Sequence, residues 1–305
     1  QANDRPFLGI LLMLGFCALI PFSDGIAKLL SGVLPLVMLM LVRFGAQALL
    51  LSPLVTLTGR SWRMSRRVGF LVFLRAVLLM LGMGFMYLSL RFLPLADAVA
   101  IAFVMPFIML LLGKYYLGEE VGPRRLIACC VGFVGTLMVI QPSFAAVGAP
   151  ALLPLAVAVV FAIFMLVTRM ISAQVDPITM QALSGVYSCL MLGTLLLVAP
   201  DLPDLKLVRP TGAQTLLLVT LGIIGTLAHL LMTWSLKFAP ASTLAPMQYL
   251  EIPFATLIGW LFFGDLPNGL AAIGIAVTVG TGLYSIHRER IVQREQRLRA
   301  APPAG

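Results

Sequence analysis

Apolar positions along this chain do not alternate with polar ones, nor recur at the spacing of a surface helix. They run on. Ten stretches of about 18 to 25 mostly apolar residues fall near 7–27, 34–57, 68–91, 95–116, 124–141, 150–171, 178–199, 212–236, 242–263 and 268–286. At 1.5 Å per residue, a helix of that length crosses a hydrocarbon core of about 30 Å. Short clusters separate the stretches, among them SGVLP, TGRSWRMSRR, LGEEVGPRR, SAQVDP and GDLPNG. They are rich in Pro and Gly, which end helices or open their first turn. The longest gap, 200–211, is a linker and holds no soluble domain. The pattern predicts an all-α membrane protein with ten transmembrane helices.

Composition agrees. Of 305 residues, 60% are hydrophobic and 11% charged, and the mean hydropathy is +1.03; soluble domains carry about 25% charged residues. If the N-terminus is cytoplasmic, 15 of the 21 Lys and Arg residues fall on that side, including Arg60, Arg63, Arg66, Arg67 and five tail arginines. Lys28, Arg91, Lys206 and Arg209 fall opposite, and Arg43 and Arg75 lie within spans. This bias places both termini in the cytoplasm, so the net charge of +9 reads as topology and anionic-lipid contact rather than nucleic-acid binding. The first stretch is too long for a signal-peptide core and lacks a small-residue cleavage site before Asp24. The tail from His287 is expected to form a short basic helix on the membrane surface. Cys17, Cys129, Cys130 and Cys189 lie in apolar spans as packing residues. No metal site and no cofactor is expected.

The chain repeats itself. The stretch SLRFLPLADAVAIAFVMPFIMLLLGKYYLGEE from Ser89 matches SLKFAPASTLAPMQYLEIPFATLIGWLFFGDL from Ser235 at an offset of 146 residues. Gly113 and Gly118-Glu119 pair with Gly259 and Gly264-Asp265 at that offset. One copy holds five spans, and an odd number inserts the second copy upside down. We therefore expect two inverted five-helix repeats, 1–145 and 146–287, followed by a basic cytoplasmic tail, 288–305. Such repeats place a binding site near the midplane between the halves.

These same residues, with the Pro-then-LGE pattern in one half and its GD variant in the other, resemble the drug/metabolite transporter (DMT) superfamily in its EamA branch. The resemblance covers Phe7 to Ile286 and extends to YddG-type amino-acid exporters. It implies a secondary transporter of the bacterial inner membrane that exports hydrophobic or aromatic amino acids by alternating access.

The candidate site starts from Glu251. A carboxylate mid-span costs several kcal/mol against lipid, so it should face the bundle interior with Gln248, one turn before it on the same helix. There it accepts a substrate ammonium, carries a proton, or bonds a neighbouring helix. Pro106 and Pro253 sit mid-span in equivalent helices, as hinges or as static kinks. Arg43 is too deep to snorkel and pairs with a substrate carboxylate or with Asp24 or Glu251; Arg75 is expected to snorkel to the cytoplasmic face. Tyr87 and Trp234 occupy corresponding helices as gate or interface residues. His229 is a packing residue or a proton relay, and Phe103 and Phe107 stack an aromatic substrate or simply pack. Ser23, Phe161 and Tyr187 complete the set of substrate-site candidates.

Gly82-x-Gly84 and GFVGT lie in apolar spans without a preceding strand, so they are helix-packing glycines rather than phosphate loops. No catalytic constellation is present, and the chain is not expected to be an enzyme. The expected partners are a small-molecule substrate, an amino acid, and the lipid bilayer. The alternatives are a same-fold carrier of an organic cation, vitamin or nucleotide sugar, and a non-transporting small-molecule-binding subunit. Without a GxxxG stripe, both monomer and homodimer stand.

Overall fold

The computed structural model describes residues 5–119, 122–139, 148–199, 203–264 and 269–300. Among them the regular structure is helical: α1 (Pro6–Ser31), α2 (Leu36–Leu57), α3 (Arg66–Ser89), α4 (Leu95–Ala102), α5 (Met105–Leu117), α6 (Pro123–Val139), α7 (Leu152–Ile171), α8 (Pro177–Val198), α9 (Gly212–Phe238), α10 (Ala241–Gln248), α11 (Glu251–Phe263) and α12 (Gly269–Ala300). The ends follow local chemistry. Ser65 accepts from the Val68 N–H, Asp176 from the Ile178 N–H, and Thr211 with Gln214 forms a capping box. Gly118 and Gly264 close α5 and α11 in the left-handed conformation, which glycine adopts without a Cβ clash.

Seven of these segments, with α4 and α5 taken together, are long and apolar enough to cross a membrane. The apolar parts of α6 and α12 are shorter, Leu126–Gly135 and Ala272–Tyr284. The last helix continues unbroken to Ala300, so the helix expected for the basic tail runs on from the last apolar stretch.

Two expected spans are interrupted. The 95–116 stretch divides into α4 and α5, and the 242–263 stretch into α10 and α11. Pro106 and Pro253 explain both breaks. Each lacks an N–H and its ring clashes with the carbonyl four residues back, at Ala102 and Tyr249, where the first half-helix ends. Gln248 and Glu251 therefore do not share one helix face: Gln248 ends α10 and Glu251 opens α11.

Polarity is inverted relative to a soluble protein. Leu49, Leu57, Phe70, Leu190 and Leu197 are exposed, whereas Arg43, Gln47, Arg75, Gln181, Ser184, His229 and Thr233 are fully buried. Apolar side chains outward and polar ones inward is the arrangement lipid selects. The most extensive packing pairs α1 with α9, α3 with α7, α2 with α8, and α6 with α12. Close approach depends on glycine. A Cβ on Gly185 would lie 2.8 Å from the Ala48 backbone nitrogen, and one on Gly82 2.5 Å from the Phe161 ring.

Candidate functional site

Helices α1, α3, α7 and α9, with the breaks of α4–α5 and α10–α11, surround a cavity of about 60 Å³. Its wall is apolar and soft, with Phe16, Phe103 and Phe161 among Met83, Met86 and Met105. Asp24, Tyr87, His229 and Glu251 interrupt it. The two carboxyls thus line the same cavity. Glu251 is the first residue of α11. Neither carboxyl forms an ion pair or hydrogen bond with another side chain among the described residues.

Arg43 is deep, as expected, but its partners differ from those expected. It donates to Gln47 Oε1 at 3.2 Å, Thr226 Oγ1 at 3.3 Å and His229 Nδ1 at 2.9 Å. No carboxylate of the described residues lies within ion-pair distance of it. The space for its guanidinium comes from Gly225, where a Cβ would sit 2.1 Å from Arg43 Nε. The His229 ring is wedged between Phe16, edge-on at 5.8 Å, and Phe161 at 6.1 Å.

Arg75 overturns an expectation. It does not snorkel; it is fully buried. It donates to Thr168 at 2.9 Å, Ser184 at 2.6 Å, and Gln181 and Thr233 at 3.0 Å each, and its guanidinium lies 4.6 Å from the Phe164 ring. Four hydroxyl or amide acceptors and a ring face on three other helices make the interior a cheaper destination than the surface. Gln47 donates to the Gln181 carbonyl at 2.7 Å, so the two arginine clusters form one polar network behind the cavity.

Ser23 is buried beside Asp24 with its hydroxyl unpartnered. Gln248 is buried, its amide against the sulfurs of Met109 and Met165 at 3.6 and 3.5 Å. The other candidates pack away from the cavity. Phe107 stacks with Phe133, Tyr187 meets Phe73 edge-on, and Trp234 packs with Leu51, Val55 and Ile178. Asp24, Phe16 and the methionines line the cavity without having been singled out as site residues. For Asp24 the signal existed, since it is a carboxylate within an apolar span, as Glu251 is.

One end of the bundle is tied across its two parts. Glu119 accepts from the Ala241 and Ser242 N–H groups at 3.0 and 2.8 Å and lies 3.6 Å from Arg169. Arg169 donates to the Leu236 carbonyl at 2.8 Å. The bonds join the end of α5, the end of α7 and the α9–α10 corner. Asp265, the counterpart of Glu119 in the sequence repeat, lies outside the described residues. Among the described residues no group of three or more His, Cys, Asp or Glu side chains could hold a metal ion.

Comparison with known proteins agrees with this architecture. The model of the EamA-like transporter family matches the chain twice, over residues 7–141 and 149–286. A riboflavin transporter of Rhizobium johnstonii is 30% identical over 73% of this chain and 71% of its own length. An S-adenosylmethionine uptake transporter of Rickettsia felis is 23% identical over 81% and 82%, and the pseudopaline exporter of Pseudomonas aeruginosa 26% over 86% and 91%. A crystal structure 19% identical in sequence superposes with a TM-score of 0.71 over 93% of this chain and 98% of its own. The expected kinship narrows accordingly: the branch holds, while these relatives are named for riboflavin, S-adenosylmethionine and pseudopaline rather than for amino acids. With two matches spanning nearly its whole length, the chain belongs to the EamA-like transporter family and is an integral membrane transporter.

Proposed function

We propose that the protein is a bacterial inner-membrane carrier for a planar or aromatic metabolite that bears hydrogen-bond donors or a cationic group. The cavity carries this reading: three aromatic rings and a methionine wall offer a face for a flat apolar body, and Asp24 and Glu251 offer acceptors at its polar edge. Riboflavin is the first candidate, because it is flat, rich in donors, and named for a 30% identical relative. Export of an aromatic amino acid is the second reading, favoured by two carboxyls suited to an ammonium group. It is weakened by the arginines, which turn to the network behind the cavity and leave a substrate carboxylate without a cationic partner.

Transport would proceed by alternating access between two inverted five-helix halves, crossing the membrane ten times with both termini cytoplasmic. The repeat at offset 146 and the two family matches support the halves, and so does the packing. The α1–α9 pairing has a counterpart in α7–α3, and α5–α7 in α11–α1. The Pro106 and Pro253 breaks supply hinges beside the cavity, and the Glu119–Arg169 contacts hold the cytoplasmic end shut in this state. A carrier of this kind is reversible, so the substrate gradient sets the direction of flux. The test is uptake of labelled riboflavin, S-adenosylmethionine and L-phenylalanine into proteoliposomes containing the purified protein. Riboflavin flux above that of protein-free vesicles, competed by unlabelled riboflavin, is expected. Flux of phenylalanine alone would establish the second reading instead.

A further inference from the structure

His229 is one of two histidines in the chain, and its surroundings fix more than its position. Arg43 can only donate, since a guanidinium has no acceptor. Its Nη2 lies 2.9 Å from His229 Nδ1, so Nδ1 must present its lone pair there. The Gly225 carbonyl, 3.2 Å from the same nitrogen, competes for a proton there, but the guanidinium contact is shorter and charge-assisted and a proton on Nδ1 would face its N–H. The ring proton therefore sits on Nε2. Nε2 is buried without a partner, and the residue lines the cavity between the Phe16 and Phe161 rings. A buried N–H donor without an acceptor is rare and costly, and this one is left at the wall of a ligand cavity.

We propose that Arg43 locks His229 as an Nε2–H donor that reads a carbonyl-type acceptor on the substrate, complementing the carboxyls of Asp24 and Glu251, which read its donor or cationic group. The cavity then selects flat metabolites that carry both an acceptor and a donor, and rejects flat hydrocarbons and ligands with donors alone. His229 contacts substrate; Arg43 and Gly225 are positioning residues that act through it. The inference rests on the substrate-cavity reading above.

Two measurements on the full-length protein test it. The first needs no ligand: nitrogen-15 spectra of the imidazole rings, with His287→Gln removing the other histidine. Nε2 protonated and Nδ1 bare is the expected signature, lost in Gly225→Ala; a protonated Nδ1 in the unaltered protein overturns the lock. The second uses riboflavin as probe, with binding read by flavin fluorescence and the Nε2–H proton followed during titration. Binding should shift that proton, and His229→Phe, which keeps a ring of similar shape, should weaken binding about 10-fold or more, the loss expected when a buried acceptor goes unmatched. His229→Gln, which restores an N–H, should recover part of it. Riboflavin binding that neither moves the proton nor responds to His229→Phe overturns the inference and spares the carrier reading. Failure of riboflavin to bind at all overturns the substrate assignment, and the acceptor-reading role falls with it.

Discussion

Replacing Gly225 by Ala adds one methyl group at the point where α9 makes room for a buried cation. The new Cβ would lie 2.1 Å from Arg43 Nε, 2.7 Å from Cζ and 2.9 Å from Cδ, where ordinary contact begins near 3.4 Å. The guanidinium must retreat by more than 1 Å. Its bonds to Gln47, Thr226 and His229 are already 2.9 to 3.3 Å long, so at least two are lost. Hydrogen bonds to a charged group contribute about 1.5–3 kcal/mol each, and the helix-propensity gain of Gly to Ala returns about 1 kcal/mol. The net cost is about 2–5 kcal/mol, a fall of roughly 3–8 °C in Tm for a chain of this size. Gly45→Ala, on α2 with nothing within 4 Å of the added Cβ, is the control and should hold or raise Tm. The assay is the apparent Tm of the purified variants in one detergent at one heating rate, because unfolding of such a protein is a kinetic event. Gly225→Ala melting at or above the unaltered protein would refute the packing argument.

Arg75→Met should cost less than the Thr168→Val, Ser184→Ala double variant. Removing the cation leaves hydroxyls that still donate to their own helices, while removing two of its four acceptors leaves a buried charge with unmatched N–H groups; the order of apparent Tm values decides this. Glu119→Ala should lower Tm by several degrees through loss of two bonds to the α10 N-terminus. It should also raise labelling of a cysteine placed at the α9–α10 corner; unchanged labelling would deny that these contacts hold that end closed. Glu251→Gln and Asp24→Asn should each reduce substrate flux about 10-fold or more with Tm preserved, whereas full flux in both would remove the carboxyls from the substrate path. On the 200–211 linker, a hydrogen bond from Arg91 holds the Asp204 carboxyl below its usual range. A depressed carboxyl contributes stability at neutral pH that fades as the pH falls through its folded-state value. Asp204→Asn should therefore lower Tm slightly at pH 7 and by less at pH 3, the side chain being nearly half exposed.

What the sequence alone determined is everything set by local free energy. Apolar run length against bilayer thickness gave the helices, and the separators gave their ends: Ser65, Asp176 and Thr211 cap where they stand, and Gly118 and Gly264 stop two helices. The carboxyl of Glu251 pointed to the bundle interior because lipid rejects it wherever the chain goes. Pro106 and Pro253 were visible, yet only the fold revealed that each divides its span four residues upstream and places Glu251 at a helix start. Partner choice was the tertiary structure's to decide. Arg75 looks like a snorkelling residue when its distance to the nearest loop is counted along one helix. Its partners lie 93 to 158 residues away, and nothing local to Arg75 encodes them. The same holds for Arg43 and His229, 186 residues apart. A helix forms from its own residues, but a buried cation is stabilised only by the acceptors that helix packing brings to it.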